Sequence, residues 1–128
     1  MINTKLEKSF RLTRRNSYEI LSKTFIKKTV RRICKNSCIR YVILFGSYSR
    51  NEAHALSDID LLIGLDLNPI EYAKIYLKLK DAFKKPLDIY FLNHILKSDE
   101  TKTKFLQDFT VLYFKKDNIK EVLKKLES

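Results

Sequence analysis

The sequence has no tryptophan, one methionine, and only two each of cysteine, proline, glycine and histidine. Each scarcity excludes something. Cys34 and Cys38 lie in a stretch without histidine and match no zinc-ligand spacing, so they make a poor metal site. They read as a pair of reduced cytosolic thiols. No stretch holds the roughly 18 continuous apolar residues of a membrane span, and the N-terminus lacks the apolar core of an export signal. A cytoplasmic location is the expectation. No low-complexity tract or internal repeat appears, and the composition is that of an ordinary globular chain. At 128 residues it reads as one domain, with room for a real core.

Acidic residues are scarce at one end. Residues 1–40 hold 12 Lys or Arg against Glu7 and Glu19 alone, whereas residues 41–128 hold 14 against 13 acids. The formal net charge of +11 therefore belongs almost wholly to the N-terminal segment. Residues 1–16 read as a weakly ordered basic arm, and residues 17–128 as the single folded domain. Ser17 is placed to cap a helix from Tyr18 to about Lys35. Its apolar stripe is Tyr18, Leu21, Phe25, Ile26, Val30 and Ile33. Lys27, Lys28, Arg31 and Arg32 then crowd the outer face. That face is either simply solvated or a patch for RNA, DNA or an acidic partner. Only Phe10 and Phe25 are interleaved with these charges, which argues against a platform for stacking single-stranded bases.

The informative stretch is Tyr41 to Leu62, YVILFGSYSRNEAHALSDIDLL. Tyr41 to Phe45 is β-branched and aromatic enough to be a buried strand. Gly46 permits a sharp turn and close approach to a ligand. Ser47 stands where a helix to about His54 would begin, and a helix start offers amides and partial positive charge to a phosphate. Ser57 to Leu65 reads as a second strand. Asp58 and Asp60, spaced i and i+2, then share a face, roughly 7 Å apart. Two convergent carboxylates are the hard-oxygen site that magnesium uses beside substrate phosphates. Asp88 lies in a third strand, Pro86 to Leu92. If that strand lies beside the second, three carboxylates can hold two metal ions roughly 3.5–4 Å apart. Asp60 and Asp88 are each flanked by apolar residues, where an unpaired carboxylate is costly.

Elsewhere, Gly64 and the run Asp66 to Pro69 mark the end of the second strand. Asp66 reads as a turn residue rather than a fourth ligand. Pro69 opens a helix to about Lys84, with Ala73, Tyr76, Leu77, Leu79 and Phe83 as core contacts. Short helices at Asn93 to Lys97 and Thr101 to Gln107 precede a fourth strand, Asp108 to Phe114. Asp117 is placed to cap a last helix, Asn118 to Leu126. His54 and His94 read as exposed helix-end residues. The class expected is α/β (α+β), a mixed sheet of about four strands with helices packed on it.

Gly-Ser, ten residues, Asp-x-Asp, then an Asp in a later strand resembles the nucleotidyltransferase superfamily that includes DNA polymerase β. Within it, the chain most resembles the minimal nucleotidyltransferases (MNT), usually paired with HEPN-type toxins. The likeness runs from about Tyr18 to Phe114. It implies a polymerase β-like fold, Asp58, Asp60 and Asp88 as catalytic metal ligands for two Mg2+ ions, and Gly46, Ser47 and Arg50 as nucleotide-binding residues. It further implies transfer of AMP from ATP to a tyrosine of a HEPN ribonuclease, with this chain as the antitoxin. Small-molecule transferases of the superfamily carry a substrate domain for which this length leaves no room, so a protein acceptor is expected. Two positions depart from the family pattern. Asn51 stands where glycine is usual, and Asn is the next residue able to take a left-handed turn. Tyr48 stands where a second arginine is frequent, leaving Arg50 as the loop's one cation. Two other functions remain open: an antitoxin that inhibits by contact without catalysis, and a nucleic-acid-binding module acting through residues 1–40.

Overall fold

The computed structural model describes residues 19–115 and 118–127. The basic arm, the Ser17 cap with Tyr18, and the Asp117 cap lie outside the described residues. The elements are α1 (Lys23–Cys34), β1 (Ile39–Phe45), β2 (Ile59–Leu65), α2 (Pro69–Phe83), β3 (Leu87–Tyr90), α3 (Leu92–Lys97), α4 (Asp99–Gln107), β4 (Phe109–Phe114) and α5 (Asn118–Glu127). The strands form one sheet in the order β3-β2-β1-β4. β1 is antiparallel to both β2 and β4, and β3 is parallel to β2. The expected mixed four-stranded sheet is therefore what forms.

Period-2 alternation splits each strand between two cores. Val42, Leu44, Ile59, Leu61 and Ile63 face the larger core, closed by Ile26, Val30 and Cys34 of α1 and by Ile75, Leu79 and Phe83 of α2. Tyr41, Ile43, Phe45 and Leu62 face the smaller one, closed by Ile95 of α3, Phe105 of α4 and Val122 and Leu126 of α5. Among the described residues no helix is long and apolar enough to cross a membrane. Cys34 and Cys38 are free and buried. Burial, with Cys38 nearby, pushes the Cys34 thiol up to about 12; burial and then Glu71 push Cys38 up to about 11, so neither is a thiolate at neutral pH.

Several boundaries differ from expectation, each for a local reason. The first helix starts at Lys23, and residues 19–22 are not helical. Ser22 is the cap, its hydroxyl accepting from the Phe25 amide at 3.1 Å. No helix spans Ser47 to His54. The amides of Ser49 and Arg50 both donate to the Gly46 carbonyl at 3.1 Å, and then Asn51 turns left-handed at φ +60°, which ends the helical path. β2 begins at Ile59 rather than Ser57, because Ser57 is tied into a loop. Its hydroxyl accepts from the His54 amide at 2.8 Å and its own amide donates to the His54 carbonyl at 3.0 Å. On α2 the buried row is Ile75, Leu79 and Phe83, an i, i+4, i+8 line; Ala73 and Leu77 are exposed, Leu77 at 63%. Gly64 does not end β2. It lies within the strand, where an added Cβ would sit 2.0 Å from the Tyr41 ring.

His54 and His94 are both exposed, His54 in a loop and His94 within α3. Asp66 follows β2 at the end of the strand away from Asp60, its amide donating to the Cys38 carbonyl at 2.8 Å, so it stands apart from the other aspartates.

Candidate active site

The three aspartates meet because of strand register. Antiparallel pairing sets Phe45, the residue before Gly46, opposite Asp60. Parallel pairing sets Asp60 beside Asp88. Ile59 and Leu61 of β2 face the larger core, as do Leu87 and Ile89 of β3. By alternation Asp58, Asp60 and Asp88 lie on the opposite face, that of Phe45, Leu62 and Tyr90. Asp60 is half-buried, whereas Asp58, just ahead of β2, and Asp88 are exposed.

Burial and crowding show in their protonation. Burial, then the charges of Asp88 and Asp58, push the Asp60 carboxyl up to about 7, with Arg50 pulling the other way. Burial and the neighbouring Asp88 raise Asp58 as well. Asp88 is within hydrogen-bonding reach of both. Burial, then Asp60, Asp88 and Asp58, push the Tyr90 phenol up, and its ring meets Phe45 edge-on at 5.0 Å. The aspartates thus stand at the rim of an aromatic cluster that continues through Phe105.

Gly46 forms the other wall. It has φ +75°, a conformation that favours glycine, and a Cβ there would lie 2.1 Å from Oδ2 of Asp60. The Asp60 carboxylate therefore rests directly on the turn's backbone. Ser47 is half-buried at the start of the turn, and its carbonyl accepts from the Glu52 amide at 2.9 Å. Arg50 is close enough to act on Asp60 and pairs with Glu52 at 3.4 Å. Asn51 takes the left-handed turn expected of it. Tyr48 points into the larger core, its hydroxyl 3.5 Å from the Leu21 amide. A core aromatic thus replaces any second cation on this turn.

Several residues that matter here gave no clear signal in the sequence. Ser49 is fully buried; its hydroxyl donates to Oδ1 of Asp108 at 3.0 Å and lies 2.9 Å from the Thr110 hydroxyl. That bond ties the turn to the start of β4. Its hint was only a serine amid the Gly-Ser-x-Ser-Arg run, and the partner is 59 residues away. Lys85 is 3% exposed, and its Nζ donates to the Ala55 carbonyl at 2.8 Å. It holds the loop that leads into Asp58, while the Pro86 carbonyl accepts from the Ile59 amide at 2.9 Å. A lysine before proline gives no warning of burial. Tyr90 was visible only as an apolar strand residue.

Ser49→Ala is expected to lower stability by about 1–3 kcal/mol, because Asp108 and Thr110 lose a buried partner. Urea unfolding checks this; an unchanged midpoint would show that the turn is not held there.

Three hard-oxygen donors, two of them raised by burial and then by neighbouring carboxylates, suit a divalent cation, which would relieve their repulsion. Among the described residues, no group of three His, Cys, Asp or Glu side chains is arranged as a metal-holding set.

The family profile for Polymerase beta, Nucleotidyltransferase matches residues 27–118. A comparison with curated proteins finds no match. Among solved structures, the chain resembles one of a toxin–antitoxin with AMP-PNP at 20% identity, covering 79% of this chain and 84% of that one, with a TM-score of 0.59. The toxin–antitoxin MntA–HepT is similar at 15% identity, 82% and 85% coverage and a TM-score of 0.54. A tri-AMPylated Shewanella oneidensis HEPN toxin in complex with MNT antitoxin is similar at 17% identity, 81% and 83% coverage and a TM-score of 0.54. These likenesses are of fold. With the profile spanning most of the sequence, and the Gly46 turn set against Asp60 on one side of a mixed sheet, the chain belongs to the polymerase β nucleotidyltransferase family.

Proposed function

We propose that this protein transfers AMP from ATP to a hydroxyl of a protein acceptor, and that the acceptor is a HEPN-type toxin whose antitoxin it is. The observation that carries the reading is Asp60, neighboured by Asp58 and Asp88, resting on the bare backbone of Gly46. The AMPylated toxin found with an MNT antitoxin of similar fold supports the choice of group and acceptor.

The chemistry is positioning plus charge stabilisation. The acceptor oxygen attacks the α-phosphorus, a new O–P bond forms, and the bond to the β-phosphate oxygen breaks, releasing pyrophosphate. Asp58, Asp60 and Asp88 would hold Mg2+, which when bound neutralises phosphate charge and lowers the pKa of the attacking hydroxyl. Asp88, exposed at the edge strand, would take the hydroxyl proton. Gly46 and Ser47 let the phosphate tail approach the backbone, and Arg50 contributes a positive charge beside it. Asp60, with its carboxyl near neutrality, must give up its proton as a cation binds, so cation affinity rises with pH.

The test is incubation with labelled ATP, Mg2+ and the product of the neighbouring gene, repeated with Asp58→Asn and Asp60→Asn. Label on a tyrosine of the acceptor, lost in both variants, is expected. Neutralisation of the neighbour without label would overturn catalysis in favour of inhibition by contact.

A further inference from the structure

The sheet separates two extremes of charge. One face carries the aspartates; the other is covered by α1 and α2. α1 reads KTFIKKTVRRIC, with no acid in its first turn or anywhere along it. Its inner side is filled by Ile26, Val30 and Cys34, and its exposed positions are Thr24, Lys27, Lys28, Arg31 and Arg32, continued by Lys35 just past the end. Among the described residues none of Lys27, Lys28, Arg31 and Arg32 is joined to a carboxylate. Lys27 with Arg31 and Lys28 with Arg32 are i, i+4 pairs of like charge, which weaken a helix. Lys78 of α2 adds a further cation, lining one groove with Arg32, the half-buried Ile33 and Ala82, and Asp81, whose carboxylate is paired with Lys84 at 2.7 Å.

A polyanion is the partner that offsets this repulsion, and the outer face says which kind. It has no apolar side chain to form the desolvated centre of a protein interface. It has no exposed aromatic on which unpaired bases stack. It does have two rows of cations, about 6 Å apart along the helix axis, and a phosphate backbone needs only such charges. We propose that the outer face of α1 binds the phosphate backbone of double-helical nucleic acid without reading its sequence. Because this surface lies across the sheet from the aspartates, duplex binding and nucleotide binding occupy separate faces, and the inference stands independently of the transfer reaction.

The experiment measures binding of the full chain to a labelled random-sequence DNA duplex across salt concentration. The comparison is with a variant carrying Lys27→Gln, Lys28→Gln, Arg31→Gln and Arg32→Gln. Each phosphate contact contributes about 0.9 to the log–log salt slope, so loss of four lowers it by about 3–4. A control variant with Lys97→Gln, Lys120→Gln and Lys124→Gln, all exposed on α3 and α5, is expected to keep the wild-type slope. Thermal unfolding confirms that both variants fold, and the α1 variant is expected to be no less stable, since like-charge pairs are removed. No duplex binding at low salt, a slope the α1 changes leave alone, or an equal loss in the control would overturn the proposal. So would polyglutamate of equal charge competing as well as duplex, which would assign the face to an acidic protein.

Discussion

Asp60→Asn is expected to reduce nucleotidyl transfer about a thousandfold or more while the protein stays folded. Asp60 is the middle position of the three, paired in the sheet with Asp88 and two residues from Asp58. Its loss removes the charge that both neighbours must be balanced against, and a cation site of this kind supplies several kcal/mol of charge stabilisation in the transition state. At about 1.4 kcal/mol per factor of ten, that is about a thousandfold. A second readout is independent of turnover. The Asp60 carboxyl is raised from 3.8 to about 7, first by burial and then by Asp88 and Asp58. The folded protein therefore binds this proton more tightly than the unfolded chain. Its contribution to stability is intact below the unfolded pKa and is lost as pH rises from there toward 7. Without divalent cations, the melting temperature should fall between pH 5 and 7, and Asp60→Asn should flatten that fall. Some slope will remain, because Asp58 is raised in the same direction. Transfer within tenfold of wild type, together with an unchanged pH slope, would remove Asp60 from the site.

Gly46→Ala should be nearly as damaging to activity, for a different reason. An alanine at φ +75° costs about 1–2 kcal/mol in backbone strain. The new Cβ would also fall 2.1 Å from Oδ2 of Asp60. The carboxylate is the end of a short side chain and can rotate away, so the clash is relieved by turning Asp60 out of the site rather than by breaking the sheet. A displacement of about 1 Å in a positioned group costs about a hundredfold in rate. The matched control is Asn51→Gly, at the other left-handed position of the same turn, where no loss of stability or transfer is expected. Retention of full activity by Gly46→Ala would mean that the turn and the carboxylate are not fitted to one another.

How much of this could be read in advance follows from the range of each interaction. The strands were legible as apolar runs, and the placement of Asp58 and Asp60 on one face was legible as parity, because side chains alternate whatever a strand pairs with; Asp88 joins them only through the pairing of β3 with β2. Asn51 was legible as a left-handed residue for the same local reason. The stretch after Gly46 is not the helix to His54 that its sequence suggests. Its composition permits one, but the bonds of Ser49 to Asp108 and of Lys85 to Ala55 hold it as a turn and loop. The buried face of α2 is ambiguous in sequence because Ala73, Ile75 and Leu77 are all apolar, and only the sheet beneath selects Ile75.

By itself, the chain's order of residues determined which segments extend, which acids share a side, and where the positive charge is concentrated. Tertiary structure decided that β3 runs parallel to β2 with Asp88 level with Asp60, that Gly46 meets that carboxylate, and that Tyr48 and Lys85 are interior. The division is physical. Alternation, turn preference and charge density are properties of neighbours along the chain, whereas register and burial are set by contacts between residues far apart in sequence.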